Sequence, residues 1–289
     1  MEKIKFVFFG TDEFSVKVVE TLKQRGYLPN LIVTVPDKPQ GRKLKITAPP
    51  IKIWGEENKI EVFQPESLRN DNVIKKLEVA NLSFAVVASY GKIIPDKILR
   101  LPIRGCLNIH PSLLPKYRGA TPIESAIING EKFNGISIIL LDEEMDHGPL
   151  VAQKKISISD NTYYPEIRDL YATSGGELLA DILPDWLAQK IKPIEQNHLE
   201  ATYTKKITKS DGLISLSDHN QINYNKIRAL TPWPGAYFIL KQKDRDLKII
   251  ITQADLLDNQ LKIKKVKPEG KREMDWESFE NGYQITKPI

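Results

Sequence analysis

Apolar residues in this chain follow two rhythms. Residues 3–9, 31–35, 60–63, 82–89, 105–109, 136–141 and 150–158 are predominantly apolar runs and read as strands. Continuous rather than alternating apolarity is expected where both faces of a sheet are covered. Between these runs the apolar positions recur every three or four residues, the spacing of an amphipathic helix. Phe14, Val18, Val19 and Leu22 form one such stripe behind Gly10-Thr11-Asp12. Leu68, Val73, Ile74 and Leu77 form another within residues 66–78. Helices are also predicted over 49–57 and 122–129, and a long one over 165–189 carrying Leu170, Leu178, Leu179, Ile182, Leu183 and Leu187. Strand and helix alternate at βαβ spacing as far as residue 130. That order predicts an α/β fold, with a largely parallel sheet and helices on both faces.

The rhythm then changes. Residues 190–204 are polar, contain Pro193 and show no strong period, so they read as a linker. Beyond them come short strand candidates at 213–216, 236–240, 247–252 and 261–266, with a helix over 219–230. These predict a small, mainly β second domain, a barrel. The expected division is a first domain over 1–189, a linker over 190–204 and a second domain over 205–289.

Charge sharpens that division. A length of 289 residues accommodates two domains. The net charge is +5, and it is not spread evenly. Residues 1–189 hold 24 Lys and Arg against 24 Asp and Glu, whereas residues 205–272 hold 15 against 7, a local net of +8. A neutral body with a basic appendage fits chemistry in the first part and attraction of a polyanion by the second. A solvated, solubilising face would show the same charge. No apolar run approaches the ~20 residues that span a bilayer. The N-terminal apolar run is too short for a secretion signal, and acidic residues follow it at once. The single cysteine, Cys106, excludes an internal disulfide and fits a reducing compartment. Together these predict a cytoplasmic protein.

In a parallel sheet, ligands bind beyond the carboxyl ends of the strands. Gly10, Ser89-Tyr90-Gly91 and Asn108–His110 all fall at or just past such ends. The densest segment is NIHPSLLPKYRGATPI, residues 108–123. Asn108 and His110 are two apart and share one face of a strand. Asp146 follows in a loop closed by Gly148-Pro149. An amide donor, an imidazole and a carboxylate make a plausible acyl-transfer set, in which Asn stabilises an oxyanion, His handles protons and Asp orients or charges it. A lone His at a strand end is more often structural; here two of the chain's four His fall in these two segments. No G-x-S-x-G is present, so direct attack by an acceptor amine is simpler than a covalent enzyme intermediate. A metal held by His110, Asp146 and His147 fits no standard zinc spacing. Gly10–Ser15 has the place of a nucleotide loop but lacks its glycine pattern, and could be only a tight βα turn.

NIHPSLLPKYRGATPI together with MDHGPL resembles the folate-dependent formyltransferases, and the likeness extends over nearly the whole chain. FFGTDEFSVKVVETL, TVPDKPQGRKLKITAPPIK, FQPESLR and VVASYGKIIP, then YTKKITKSDGLISLS, IRALTPWPGAYF and PEGKREMDWESFENG, are similar in order and spacing to the branch that acts on methionyl-tRNA. The resemblance implies a Rossmann-like catalytic domain followed by an OB-like barrel. It implies 10-formyltetrahydrofolate as co-substrate, initiator methionyl-tRNA as acceptor, a monomer, and neither metal nor membrane. Asn108, His110 and Asp146 match the catalytic positions. Ser89, Tyr90, Gly91, Ile93 and Pro95, with Ser112, Leu113, Leu114, Pro115 and Asp142, would hold the folate; Gly91 would allow close backbone approach to the pterin. Gly10, Thr11, Phe14, Lys38, Arg42, Lys43, Arg118, Lys205, Lys206 and Lys209 would meet the substrate or its tRNA. For Arg118 a structural ion pair is an equal alternative.

Three departures from the family pattern stand out. His147 stands where Thr or Ala is usual, and Glu144 where Gly is common. The C-terminal barrel looks short, with four strand candidates where an OB-type barrel has five. A formyltransferase acting on an amino-sugar nucleotide or other small amine is the rival reading. It would share the catalytic segment without needing the PDKPQGRK loop or a basic second domain. A nucleic-acid-binding module with a decayed site is a further rival, against which the intact Asn108, His110 and Asp146 speak.

Overall fold

The computed structural model describes residues 4–40, 44–242 and 245–283. The chain divides into two compact units. The first comprises Met1–Arg118, Gly135–Ile156 and Asp169–Tyr203; the second comprises Gly119–Asn134, Ser157–Arg168 and Thr204–Ile289.

In the first unit the elements begin with β1 (Phe6–Gly10), α1 (Glu13–Gln24) and β2 (Leu31–Val33). Next come a hairpin of β3 (Lys38–Gln40) and β4 (Lys45–Thr47), then α2 (Pro50–Glu57), β5 (Glu61–Phe63) and α3 (Asp71–Val79). β6 (Phe84–Ala88), α4 (Asp96–Leu99) and β7 (Cys106–His110) follow. After α5 (Pro122–Ile128) of the second unit, β8 (Phe133–Leu140), β9 (Leu150–Ser157) and α6 (Tyr164–Leu187) complete the first sheet and its cover.

Seven strands form one sheet in the order β5-β2-β1-β6-β7-β8-β9. The pairs from β5 through β7 are parallel, and β8 runs antiparallel to β7. This is the largely parallel α/β sheet that the apolar runs predict. Alternate residues of each strand go to opposite faces. Val7 and Phe9 of β1, with Ala85 and Val87 of β6, pack against Val73, Ile74 and Leu77 of α3 and Ile98 of α4. Phe6 and Phe8 are equally buried on the other face, where Phe6 stacks on Phe84 at 4.8 Å. Gly176 lets α6 close onto α1, since a Cβ there would lie 2.8 Å from Thr21 Cβ.

Two predicted boundaries move for local reasons. Helix α3 starts at Asp71, not near 66, because Asn70 is its N-cap and its side chain accepts from the Asn72 amide at 2.9 Å. The basic segment 36–45, read as an open loop, contains β3 of the hairpin. Arg42 and Lys43 lie outside the described residues.

The second unit carries α5, α7 (Asn220–Leu230), β10 (Ala236–Lys241), β11 (Asp246–Leu257), β12 (Gln260–Pro268), β13 (Met274–Asp275) and α8 (Trp276–Tyr283). The four strands pair in sequence order as an antiparallel sheet, a small barrel-like domain with, among the described residues, fewer strands than a full OB barrel. Its core joins Tyr224 and Ile227 of α7 to Phe238, Ile249, Ile251, Val266 and Phe279. One predicted strand is corrected. Residues 213–216 form no strand; Leu213 makes one isolated parallel bridge to Tyr237, and the fourth strand is β13. The turn Lys209–Gly212, closed by a Thr208–Asp211 capping box, leads directly into this segment and leaves it a single bridging residue.

Candidate active site

The strand order reverses between β1 and β6, so the crevice expected in such sheets opens at their carboxyl ends. Two loops are laced together there. Asp12 caps α1 by accepting from the Ser15 amide, and its second oxygen accepts from Ser89 Oγ at 2.6 Å. Thr11 Oγ1 donates to the Tyr90 carbonyl at 2.8 Å. Tyr90 points inward, next to Phe9, and burial pushes its phenol up to about 12. Gly91 takes φ +75°, and the space where a Cβ would stand is open.

Asn108 and His110 sit at the carboxyl end of β7, on one face. Asp146 arrives from the loop joining β8 to β9, with φ +53°. Its Oδ1 lies 3.4 Å from Asn108 Nδ2 and 3.5 Å from His110 Nδ1. The ring is buried, and its Nε2 lies 2.9 Å from the Tyr117 carbonyl. A carbonyl only accepts, so Nε2 carries a proton, and Nδ1 is the edge left to exchange one with its neighbours. Gly148 is required for the loop's return, since a Cβ there would stand 1.9 Å from the Leu140 carbonyl oxygen.

A second tier supports this set. Arg118 is 1% exposed and donates to Gln196 Oε1 from Nε and Nη2, at 3.2 and 2.7 Å. Its other contacts include Tyr203 Oη and His198 Nδ1, at 3.2 and 2.8 Å. The Gln196 amide nitrogen donates to the carbonyls of Asp146, His147 and Gly148, at 2.9, 3.1 and 2.7 Å. His147 stacks on His198 with ring centres 4.0 Å apart and gives its Nδ1 hydrogen to Asp142 at 2.6 Å. The segment read as a linker is thus an extended strap bound to the first unit, bridged to Leu150 at Ile194. Sequence reading passed over Gln196 because nothing in a polar, aperiodic stretch marks which amide is buried.

A cleft of about 460 Å³ is lined by Leu99, Leu140, Leu141 and Gly105 together with the charged Asp96, Arg100, Asp142, Glu143 and Glu144. Three leucines line one part of it and charged side chains the rest, so it is a mixed rather than an apolar cleft. Among the described residues, no group of three or more His, Cys, Asp or Glu is placed to hold a metal ion.

Formyl transferase sequences match residues 2–183 of this chain, and the formyl transferase C-terminal domain matches residues 206–260. A methionyl-tRNA formyltransferase of Thermodesulfovibrio yellowstonii is 39% identical, across 96% of this chain and 96% of its own. The chain belongs to the methionyl-tRNA formyltransferase family. Two solved structures share its fold. The methionyl-tRNA formyltransferase from Clostridium thermocellum aligns with a TM-score of 0.60 at 16% identity, over 92% of this chain and 99% of that one. An N-formyltransferase from Helicobacter canadensis, solved with folinic acid and dTDP-3-aminofucose, aligns with a TM-score of 0.63 at 17% identity, over 89% of each chain.

The remaining residues that the family resemblance pointed to take varied places. Ile93 is exposed, Pro95 caps α4, and Asp142 lies on the cleft and on His147. Ser112 and Leu114 are buried and shape the turn after β7. Ser112 Oγ donates to the Lys116 carbonyl, and the Leu114 amide donates to Ser137 Oγ. Leu113 and Pro115 are half-buried. Gly10 ends β1, and Phe14 is 5% exposed on the inner face of α1. Lys38 is exposed on β3. Lys205, Lys206 and Lys209 are exposed in the second unit.

Proposed function

We propose that this chain transfers the formyl group of 10-formyltetrahydrofolate to the α-amino group of methionine carried on initiator tRNA. The observation that carries this reading is the convergence of Asn108, His110 and Asp146 at separations of 3.4 and 3.5 Å. These contacts are longer than ordinary hydrogen bonds, leaving room for them to tighten around a reacting group. Asn108 donates to the formyl oxygen as it gains charge, with His110 beside it. The amine nitrogen attacks the formyl carbon and forms the new C–N bond. The old C–N bond breaks with its electron pair left on the departing nitrogen. The amine loses a proton and the departing folate nitrogen gains one, and His110 Nδ1 with the Asp146 carboxylate would pass it from the first to the second.

In this reading the pterin would enter the cleft of Leu99, Leu140 and Leu141, whose Asp142 could accept from the ring N–H groups. The folate supplies an activated formyl amide, and this chain's groups orient and polarise it. Methionyl-tRNA is favoured over an amino sugar by the near full-length relationship to a methionyl-tRNA formyltransferase and by the match of the C-terminal domain. The local +8 charge of residues 205–272 suits a phosphate backbone. The test is formyl transfer from 10-formyltetrahydrofolate with methionyl initiator tRNA and amino-sugar nucleotides competing. Formyl-methionyl-tRNA is the expected product. A formylated sugar alone would keep the catalytic set and overturn the acceptor.

A further inference from the structure

We propose that Gln196 is a positioning residue for this reaction, fixing the turn that carries Asp146 and so setting the Asp146–His110 separation. The inference rests on the reading of Asn108, His110 and Asp146 as the reacting set.

Asp146 occupies a left-handed backbone conformation, φ +53°, which is uncommon outside glycine although Asp tolerates it better than most residues. The carbonyls of Asp146, His147 and Gly148 all turn toward one point, and there the two hydrogens of the Gln196 amide are shared among the three oxygens. Gln196 is itself 5% exposed, so water does not substitute freely for it. Its orientation follows from its partners. Arg118 can only donate and the three carbonyls can only accept, so Oε1 must face Arg118 and Nε2 the loop.

The same residue reaches the other half of the pair. The Arg118 amide donates to the Thr202 carbonyl at 2.8 Å, and the preceding Tyr117 amide donates to Thr202 Oγ1 at 2.8 Å. The Tyr117 carbonyl is what holds His110 Nε2. One buried amide therefore joins the turn presenting Asp146 to the segment that orients His110. A shift of a few tenths of an ångström there changes a 3.5 Å approach that depends on both supports.

The test uses the full chain with Gln196→Glu, Gln196→Ala and Gln196→Asn, each first melted to establish that it folds. Glu keeps an acceptor for Arg118 but removes the amide hydrogens, so it isolates the half that holds the loop. Expected is a fall in kcat of about tenfold or more in Gln196→Glu and Gln196→Ala, with KM for both substrates within about twofold. The pH profile of kcat should also move by about half a unit or more, because the Asp146–His110 coupling changes. Gln196→Asn, which keeps the amide one methylene short, should fall between these and the unaltered chain. Wild-type kcat and pH profile in Gln196→Glu would overturn the inference while leaving the formyl-transfer reading intact. Loss of a cooperative melt in all three variants would also overturn it, since Gln196 would then serve the fold alone. No transfer by the unaltered chain would overturn the reading and this inference with it.

Discussion

Asn108 illustrates how much one side chain is asked to do. Its amide faces a carboxylate at 3.4 Å and donates without a change of charge. Asn108→Asp keeps the size, removes the N–H and sets two carboxylates against each other. A loss of about 10²–10³ in kcat/KM is expected, read by steady-state formyl transfer; an undiminished rate would remove Asn108 from its role. Cys106, two residues earlier, makes the opposite case. It is 1% exposed, its thiol lies 3.7 Å from the Leu99 carbonyl, and burial pushes it up to about 12. A thiol-specific reagent at about pH 8 should leave the folded chain unlabelled and label one thiol per chain in denaturant. Native labelling at the denatured rate would contradict this. The Asn-x-His pair was legible in the sequence because strand alternation puts both on one face. Phe14 was legible twice, as a helix-stripe residue and as a substrate contact, and the fold uses it in the stripe. Arg118 and Gln196 were not legible as a pair, because they satisfy each other and a set of backbone carbonyls, and sequence carries no index of carbonyl direction.

At the scale of elements, the hairpin β3–β4 is the clearest surprise. Lys38–Gln40 includes a proline, and the segment around it is basic and polar, so it looks like a loop. What anchors its base is a cluster in the first unit. Asp37 accepts from Gln64 Nε2 at 2.7 Å and from Lys52 Nζ at 2.8 Å, while Gln64 also donates to the Val35 carbonyl at 2.8 Å. The Gln64 hydrogen bond first, and Lys52 next, hold the Asp37 carboxyl below its usual range. A lowered folded value stabilises the clamp above the ordinary Asp range, and that support is lost only as pH falls through the lowered value. If the hairpin carries Lys38 to the tRNA, Asp37→Ala should raise KM for the tRNA about 3–10-fold and leave the folate KM unchanged. Equal rises in both would show a general loss of the first unit's integrity. The converse error at this scale was residues 213–216, whose apolar pattern is that of a strand although they form only an isolated bridge, Leu213 to Tyr237. A two-residue strand such as β13 is too short for periodicity to register.

For the whole molecule, the charge division predicted from composition remains the strongest guide. If Lys205, Lys206 and Lys209 are among three or four phosphate contacts, tRNA affinity should fall about 10–100-fold between 50 and 200 mM salt. Filter binding across that range checks it, and a flat response would remove the second unit from tRNA binding. The change of rhythm near residue 190 does not coincide with the division into units, since the first unit runs on to Tyr203. The membership of the units was not legible either, because Gly119–Asn134 and Ser157–Arg168 pack with the residues from Thr204 onward although they interrupt the first unit in sequence. Periodicity sees neighbours along the chain, and these segments are assigned by neighbours in space. The strap through Gln196 also has a consequence in time. Gln196 lies 50 residues beyond Asp146, so a ribosome adding roughly 5–20 residues per second delivers the amide several seconds after the carboxylate it steadies. If Gln196 positions Asp146 as proposed, the nascent chain carries Asn108, His110 and Asp146 throughout that interval without the residue that sets their spacing. On that proposal catalytic competence would come late in synthesis, after the sheet that presents Asn108 and His110 has been made.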